Sequence, residues 1–270
     1  MRSVIGLCTV ALVCSAATPA VADSGSTAPA RLTARVSSAK ANATMAFLLP
    51  LRVDNPRIGT TLGFDVVDAG TGEPIYSRMA DAPLRPASNM KIVTALTALR
   101  VLGPDSRMTT DAVVPQRGQV ILRGGGDTTL GAAGLTRLAS ATAKYLTTND
   151  LLPTAPKGRP PVQVFVDDSR YGKPKRGPGW TGSYQPSIAR PVRPLGRLGV
   201  YQWDSASEAG AVFAAALRSQ GVKARLVGHR DAAPDSQPAA QVTGDTVATQ
   251  VRYMLQVSEN NIAEMLYRQV

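Results

Sequence analysis

"PASNMKIVTALTAL", residues 86–99, sets Ser88 and Lys91 three positions apart at the head of an apolar run. A proline followed by small polar residues and then periodic apolar ones marks a helix start. Apolar residues at 92, 93, 96, 99 and 102 keep the helical period, and Gly103 stops it. On a helix, positions i and i+3 share a face, so the hydroxyl and the amine are brought side by side. Two readings follow: an ordinary helix start, or a nucleophile with its own base. A serine hydroxyl is a weak nucleophile until a base takes its proton. A lysine serves as that base when burial and nearby positive charge depress its pKa. The helix N-terminus supplies part of the positive field, and the serine's own N–H offers half of an oxyanion hole.

Spacing alone does not choose between them, because about half an S-x-x-K match is expected by chance in a chain of this composition. A second match exists, Ser37-Ser38-Ala39-Lys40, but it follows no proline and starts no apolar helix. A partner motif tips the balance. Ser258-Glu259-Asn260 is the one S-x-N in the chain, 170 residues after Ser88. A second serine there is suited to passing a proton to a leaving amine. The asparagine amide is suited to holding a substrate carbonyl and the lysine. Triplets of this type also cap helices.

Composition narrows the chemistry. "MRSVIGLCTVALVCSAATPAVADS" carries Arg2, an apolar run from Val4 to about Ala17, and Ala20-Val21-Ala22, which fits an A-x-A cleavage site. Residues 1–22 are therefore expected to be a signal peptide cleaved after Ala22, with the protein secreted or held in the cell envelope. The run is too short to span a bilayer comfortably. Both cysteines, Cys8 and Cys14, lie inside it. The remaining chain thus has no cysteine for a disulfide, a nucleophile or a metal. His229 is the only histidine, in the polar segment "LVGHRDAAPDS", and reads as a surface residue. Histidine-cluster metal sites are therefore excluded as well. No G-x-S-x-G elbow supports a Ser-His-Asp triad. The formal charge of +11 fits solubility, or attraction to an anionic envelope. With no dense Lys/Arg run and few aromatics, nucleic acid is not an expected partner.

The pattern along the chain is mixed α/β. Residues 23–30 read as a polar lead-in, and the segment after it as a helix followed by a short apolar stretch. Leu62–Val67 and Pro74–Arg78 read as a hairpin around Asp68-Ala69-Gly70-Thr71-Gly72. "GQVILRGGGDTTL" reads as a strand entering a glycine-rich turn, and "GLTRLASATAKYLTTN" as an amphipathic helix. "LLPTAPKGRPP" is a connector before the strand "VQVFVDD". The basic, Pro/Gly-rich stretch from Ser169 to Gly196 is long enough for a functional loop. "SASEAGAVFAAALRSQG" reads as a helix, "VKARLVG" as a strand, and the last 26 residues as helical with a candidate break near Val257.

Together these blocks resemble the D-alanyl-D-alanine carboxypeptidase/endopeptidase type of penicillin-binding protein, the low-molecular-mass class C group. "DAGTGEPIYSRMADAPLRPASNMKIVTALTAL" is similar to that family's strand-turn-strand leading into its nucleophile helix. "LRGGGDTTL" resembles its GGGDP-T-L signature, with Thr128 where proline is usual. "VDDSRYG…GPGW…YQP…PVRPLG", "AGAVFAAALRSQGVKARLVG" and "MLQVSENNIAEMLYR" follow in the family's order, so the likeness runs from about residue 45 to the end. The resemblance implies that Ser88 is the acylated nucleophile, Lys91 its base, Ser258 the proton relay and Asn260 a substrate-binding group. It implies a serine-type D-Ala-D-Ala carboxypeptidase or endopeptidase acting on peptidoglycan stem peptides, with β-lactams acylating the same serine and with no metal or organic cofactor. The implied fold is the penicillin-recognising α/β domain: residues 23–44 lead in, 45–107 and 201–270 form its two parts, and 108–200 are an inserted domain.

One departure stands out. The family's third motif, K-T-G or H-T-G, is expected about a hundred residues after the second and does not occur here. The chain therefore reads as C-terminally incomplete, with that part of the sheet missing and the Ser88 helix partly unpacked. Two other readings follow: a non-catalytic cell-wall-binding protein, and a serine β-lactamase, against which the long insertion and the GGGD block argue. Among bystanders, Asp127 reads as a structural hydrogen-bond hub and Trp180 as packing or a groove wall. Glu259 reads as a cap or a solvent-facing residue, and Glu264 with Arg268 as a helix-surface ion pair.

Overall fold

The computed structural model describes residues 39–270 except 54, 60, 155–157, 159, 174 and 185–187. The expected signal peptide and the lead-in up to residue 38, including Ser37 of the second S-x-x-K match, lie outside the described residues. The chain packs as two units, divided between Leu84 and Arg85.

The first unit contains helix α1 (Ala39–Val53) and the hairpin β1 (Phe64–Val67) and β2 (Pro74–Arg78). The strands pair antiparallel, Phe64 opposite Arg78 and Val66 opposite Tyr76. The Asp68 carboxylate builds the turn by accepting from the N–H groups of Gly70 at 2.7 Å and Thr71 at 3.1 Å. The other Asp68 oxygen accepts from Asn42 Nδ2 at 2.5 Å, which ties α1 to the hairpin. The expected break between helix and apolar stretch is absent. α1 runs straight through it, Pro50 included.

The second unit opens with helix α2 (Met90–Val101) and then builds a five-stranded sheet. Its strands are β3 (Arg107–Val113), β4 (Gln119–Gly124), β5 (Val162–Asp167), β6 (Ala224–His229) and β7 (Pro238–Thr246). The order is β6-β5-β4-β3-β7; β4, β5 and β6 run parallel, and β3 is antiparallel to both neighbours. The crossovers β4-to-β5 and β5-to-β6 step in one direction, so their helices α3 (Ala132–Thr148) and α4 (Ser205–Ser219) cover one face. The core between them holds Leu135, Leu138 and Leu146 of α3 and Phe213 and Leu217 of α4, against Leu122, Val164 and Val166. Full burial of each such side chain stabilises by about 1.5–3 kcal/mol.

The sheet runs across one of the expected boundaries. It starts at Arg107, where the insertion was expected to start, but it does not end at 200. α4, β6 and β7 complete the same layer as β3–β5, so that layer reaches Thr246. The Pro/Gly-rich stretch that suggested a boundary is an excursion out of the layer and back into it. It is stitched down by Val192 N–H to Lys175 O at 2.8 Å, Lys175 Nζ to Asp168 O at 2.8 Å, and an Arg193–Asp168 ion pair. The glycine-rich turn after β4 is equally pinned. Asp127 is buried and accepts from Thr129 N and Oγ1, both at 2.8 Å. A side chain at Gly244 of β7 would place its Cβ 2.1 Å from Asp127 Oδ1, so only glycine fits that approach.

Helices α5 (Val247–Val257) and α6 (Asn260–Gln269) follow, with the break where the sequence placed it. With α2 they form a second core of Ala95, Ala98, Val251, Met254, Ile262 and Leu266. Here too an expectation is corrected. The apolar stripe read on α2 does not lead inward: Ile92 is 61 % exposed and Leu96 55 %. The buried face is instead Lys91, Ala95 and Ala98, whose small side chains fit close against α5 and α6, with Leu99 and Leu102 at its margin.

Candidate active site

Ser88 lies in a single 3₁₀ turn, Ala87–Asn89, that feeds directly into α2. Lys91 is in the first turn of α2, on its buried face, and its Nζ approaches Ser88 Oγ to 3.4 Å. α5 ends at Ser258, which adopts the left-handed conformation (φ 56°, ψ 42°) and turns the chain into α6. That turn aims Ser258 Oγ at Ser88 Oγ, to which it donates at 3.0 Å. Asn260 opens α6, and its Oδ1 accepts from Lys91 Nζ at 2.6 Å. Its Nδ2 donates to the Ile188 carbonyl at 2.9 Å. All four residues singled out in the sequence therefore meet in one hydrogen-bonded group. The two motifs are brought together because α2, α5 and α6 share a core.

Two of the turns that present these side chains are strained. Ala87 has φ 46° and Ser258 φ 56°, both in the region that non-glycine residues avoid at about 1–2 kcal/mol each. Such conformations persist only where the surroundings over-determine them. Here they immediately flank or contain the two hydroxyls that touch.

Residues 49–191 and 185–270 match the sequence profile of the D-Ala-D-Ala carboxypeptidase 3 (S13) family. The chain belongs to this family. Carboxypeptidase DacB of Mycolicibacterium smegmatis is 30 % identical over 277 residues, covering 93 % of this chain and 56 % of the relative. A D-alanyl-D-alanine carboxypeptidase of an Actinomadura species is 41 % identical over 121 residues, 40 % of this chain and 22 % of the relative. The chain spans about half the length of the longer curated matches. Among solved structures, penicillin binding protein 4 of Haemophilus influenzae superposes with a TM-score of 0.60 at 15 % identity. That superposition covers 77 % of this chain and 61 % of the other, and it shows a shared fold.

In this S13 family member, Lys91 is only 8 % exposed, and burial holds the pKa of its amine below the ordinary lysine value. Glu259 and Glu264 oppose that shift with their negative charges. The amine faces a cleft of about 430 Å³ whose lining includes Met90, Asn260, Glu264, Trp180, Tyr184 and Tyr267. Trp180 and Tyr184 stack with ring centroids 6.3 Å apart, so Trp180 is a groove wall. Glu264 also faces the cleft rather than the open helix surface. Its carboxyl is pushed up by burial, against the charges of Arg268 and Lys91.

Glu259 departs further from its expected role. It caps α6 by accepting from Ile262 N at 2.6 Å, but it is buried rather than solvent-facing. It also takes hydrogen bonds from Tyr201 and Asn261. Sequence spacing gave no hint of Tyr201 or Arg190, which reach this site from an aperiodic loop. His229 is exposed and bridges Asp168 Oδ1 at 3.2 Å and Asp204 Oδ2 at 2.8 Å. Among the described residues, no group of three or more His, Cys, Asp or Glu is placed to hold a metal ion.

Proposed function

We propose that this chain carries the acylating centre of a serine D-Ala-D-Ala carboxypeptidase or endopeptidase. One observation carries the reading: the hydroxyls of Ser88 and Ser258 touch at 3.0 Å while a buried lysine reaches Ser88 at 3.4 Å. In the neutral form, Lys91 takes the Ser88 proton as Oγ attacks the carbonyl of the penultimate D-alanine. The Ser88 N–H, in the first turn of its helix where no intrahelical acceptor exists, donates to the developing oxyanion. The proton then passes from Lys91 through Ser258 to the departing amine, and the terminal D-alanine, or in a cross-link the stem peptide that supplied the amine, leaves while the D-alanyl carbonyl stays as the Ser88 ester. Water hydrolyses the ester by the reverse relay. Asn260 holds Lys91 through Oδ1 and presents its amide to the acyl chain. Trp180, Tyr184 and Tyr267 wall the groove for a peptidoglycan stem peptide, and β-lactams enter as strained versions of the same amide.

The site belongs outside the cytoplasm, where that polymer lies, with the N-terminal segment exporting the chain by cleavage after Ala22. The charge of +11 draws it to the anionic envelope. Fluorescent penicillin tests the acylation directly. A covalent adduct on the wild-type chain, lost in Ser88→Ala, is the expected result. An adduct that survives Ser88→Ala overturns the nucleophile. Retention on peptidoglycan with no adduct points to a wall-binding protein instead.

A further inference from the structure

The segment 258–261 does not hold its own shape. Three consecutive side chains in it are gripped by one excursion of the chain, residues 168–204, that leaves the sheet after β5 and returns at α4. The Tyr201 hydroxyl donates to Glu259 Oε1 at 2.5 Å. The Ile188 carbonyl accepts from Asn260 Nδ2 at 2.9 Å. The Arg190 backbone N–H donates to Asn261 Oδ1 at 2.9 Å. Arg190 then crimps its own loop: its guanidinium is buried and donates to the carbonyls of Arg197 at 2.7 Å and Val200 at 3.0 Å. Those two bonds deliver the next residue, Tyr201, to Glu259.

Glu259 is the hub of this arrangement. Its carboxylate accepts from Tyr201, from Asn261 Nδ2 at 2.9 Å and from the Ile262 N–H at 2.6 Å. Its own N–H donates to Met254 O at 3.1 Å, closing the left-handed turn at Ser258. It stands between the two residues that touch Ser88 and Lys91, and it contacts neither reacting atom itself.

We propose that Glu259 and Tyr201 are positioning residues for the acyl transfer: together they fix the turn that aims Ser258 at Ser88 and Asn260 at Lys91. This rests on the acyl-transfer reading above. A simple N-cap would need only the bond to Ile262. The hydroxyl of Tyr201, 58 residues earlier in the chain, is superfluous to capping, yet it is aimed at a buried carboxylate that lies next in sequence to both Ser258 and Asn260. Tyr201 stays a neutral donor throughout, because burial and the Glu259 carboxylate push its pKa up to about 12. The charged groups around Lys91 are Glu259 and Glu264, both from α6; Arg190 faces Glu259, and Arg268 faces Glu264. Removing the Glu259 charge therefore leaves Lys91 with less to oppose its burial.

The test needs two variants of the 270-residue chain and two independent readouts. Glu259→Gln keeps size and a capping oxygen while removing the charge. In ¹³Cε-lysine NMR, with Lys91 assigned by Lys91→Arg, its titration midpoint is expected to fall by about one pH unit in Glu259→Gln. An unchanged midpoint overturns the proposal, whether or not the chain is acylated. Tyr201→Phe keeps the ring and the fold. It is expected to slow the limiting rate of penicillin acylation about tenfold with the initial binding constant unaltered. An unaltered limiting rate overturns the proposal even if Glu259→Gln does not fold. A wild-type chain that is not acylated at all refutes the functional reading instead, and the NMR arm still decides the inference.

Discussion

In the proposed acyl transfer, the chemistry turns on the proton of Lys91. Burial disfavours its ammonium form, and Asn260 Oδ1 accepts one of its hydrogens at 2.6 Å, which leaves the amine aimed at Ser88. The rate of β-lactam acylation is therefore expected to rise with pH as Lys91 loses its proton, with a midpoint below 10.5. Stopped-flow measurement from about pH 6 to about pH 11 checks it. Lys91→Arg replaces the amine with a guanidinium that does not give up its proton, and is expected to cost about 10²–10⁴ in rate. The same shift has a consequence for stability. The folded state binds fewer protons than the unfolded state between the depressed pKa and 10.5, so stability rises with pH across that window. Urea unfolding at a series of pH values is expected to show that rise, and to lose it in Lys91→Met.

The elements divide by how much of their packing is written locally. α3 and α4 carry their apolar residues at helical spacing, and the structure buries that stripe: Leu135, Leu138 and Leu146 on one, Phe213 and Leu217 on the other. Phe213→Ala is expected to cost about 3–5 kcal/mol in urea unfolding, because the ring is enclosed on all sides and its removal leaves a cavity. The hairpin β1–β2 was legible from Asp68 and its glycines, and the α5–α6 break from the polar Ser258-Glu259-Asn260. β3 and β7 were not. "RMTTDAV" and "PAAQVTGDT" alternate weakly, and their pairing joins residues more than 120 apart, as Asp111 opposite Gln241. Nor was the inward face of α2 legible, since two apolar stripes compete there and only the neighbours α5 and α6 choose between them. At the site, Ser88 and Lys91 were readable because one helical turn joins them. Ser258 and Asn260 needed the family's order of motifs as well. Glu259, Tyr201 and Arg190 left no trace, because their apposition depends on a loop with no period.

Across the whole molecule, the same packing leaves a broad apolar surface on α2. Ile92, Val93 and Leu96 are all exposed, so Leu96→Ser in these 270 residues is expected to change unfolding stability by less than about 0.5 kcal/mol. A cost of several kcal/mol would mean that this face is covered in solution. Charge acts at the same scale. With a net +11, retention on isolated cell walls is expected to weaken as salt is raised, since screening shortens the reach of exposed charges to about 3 Å at 1 M. Hydrogen bonds across α2, α5 and α6 bring a serine–lysine pair and a second serine into one group. The central claim is that this group makes Ser88 an acyl acceptor. The direct measurement is peptide mapping by mass spectrometry after exposure to a β-lactam: the account predicts one adduct, on the Ser88 side chain. An unmodified Ser88, or an adduct on another residue, contradicts it.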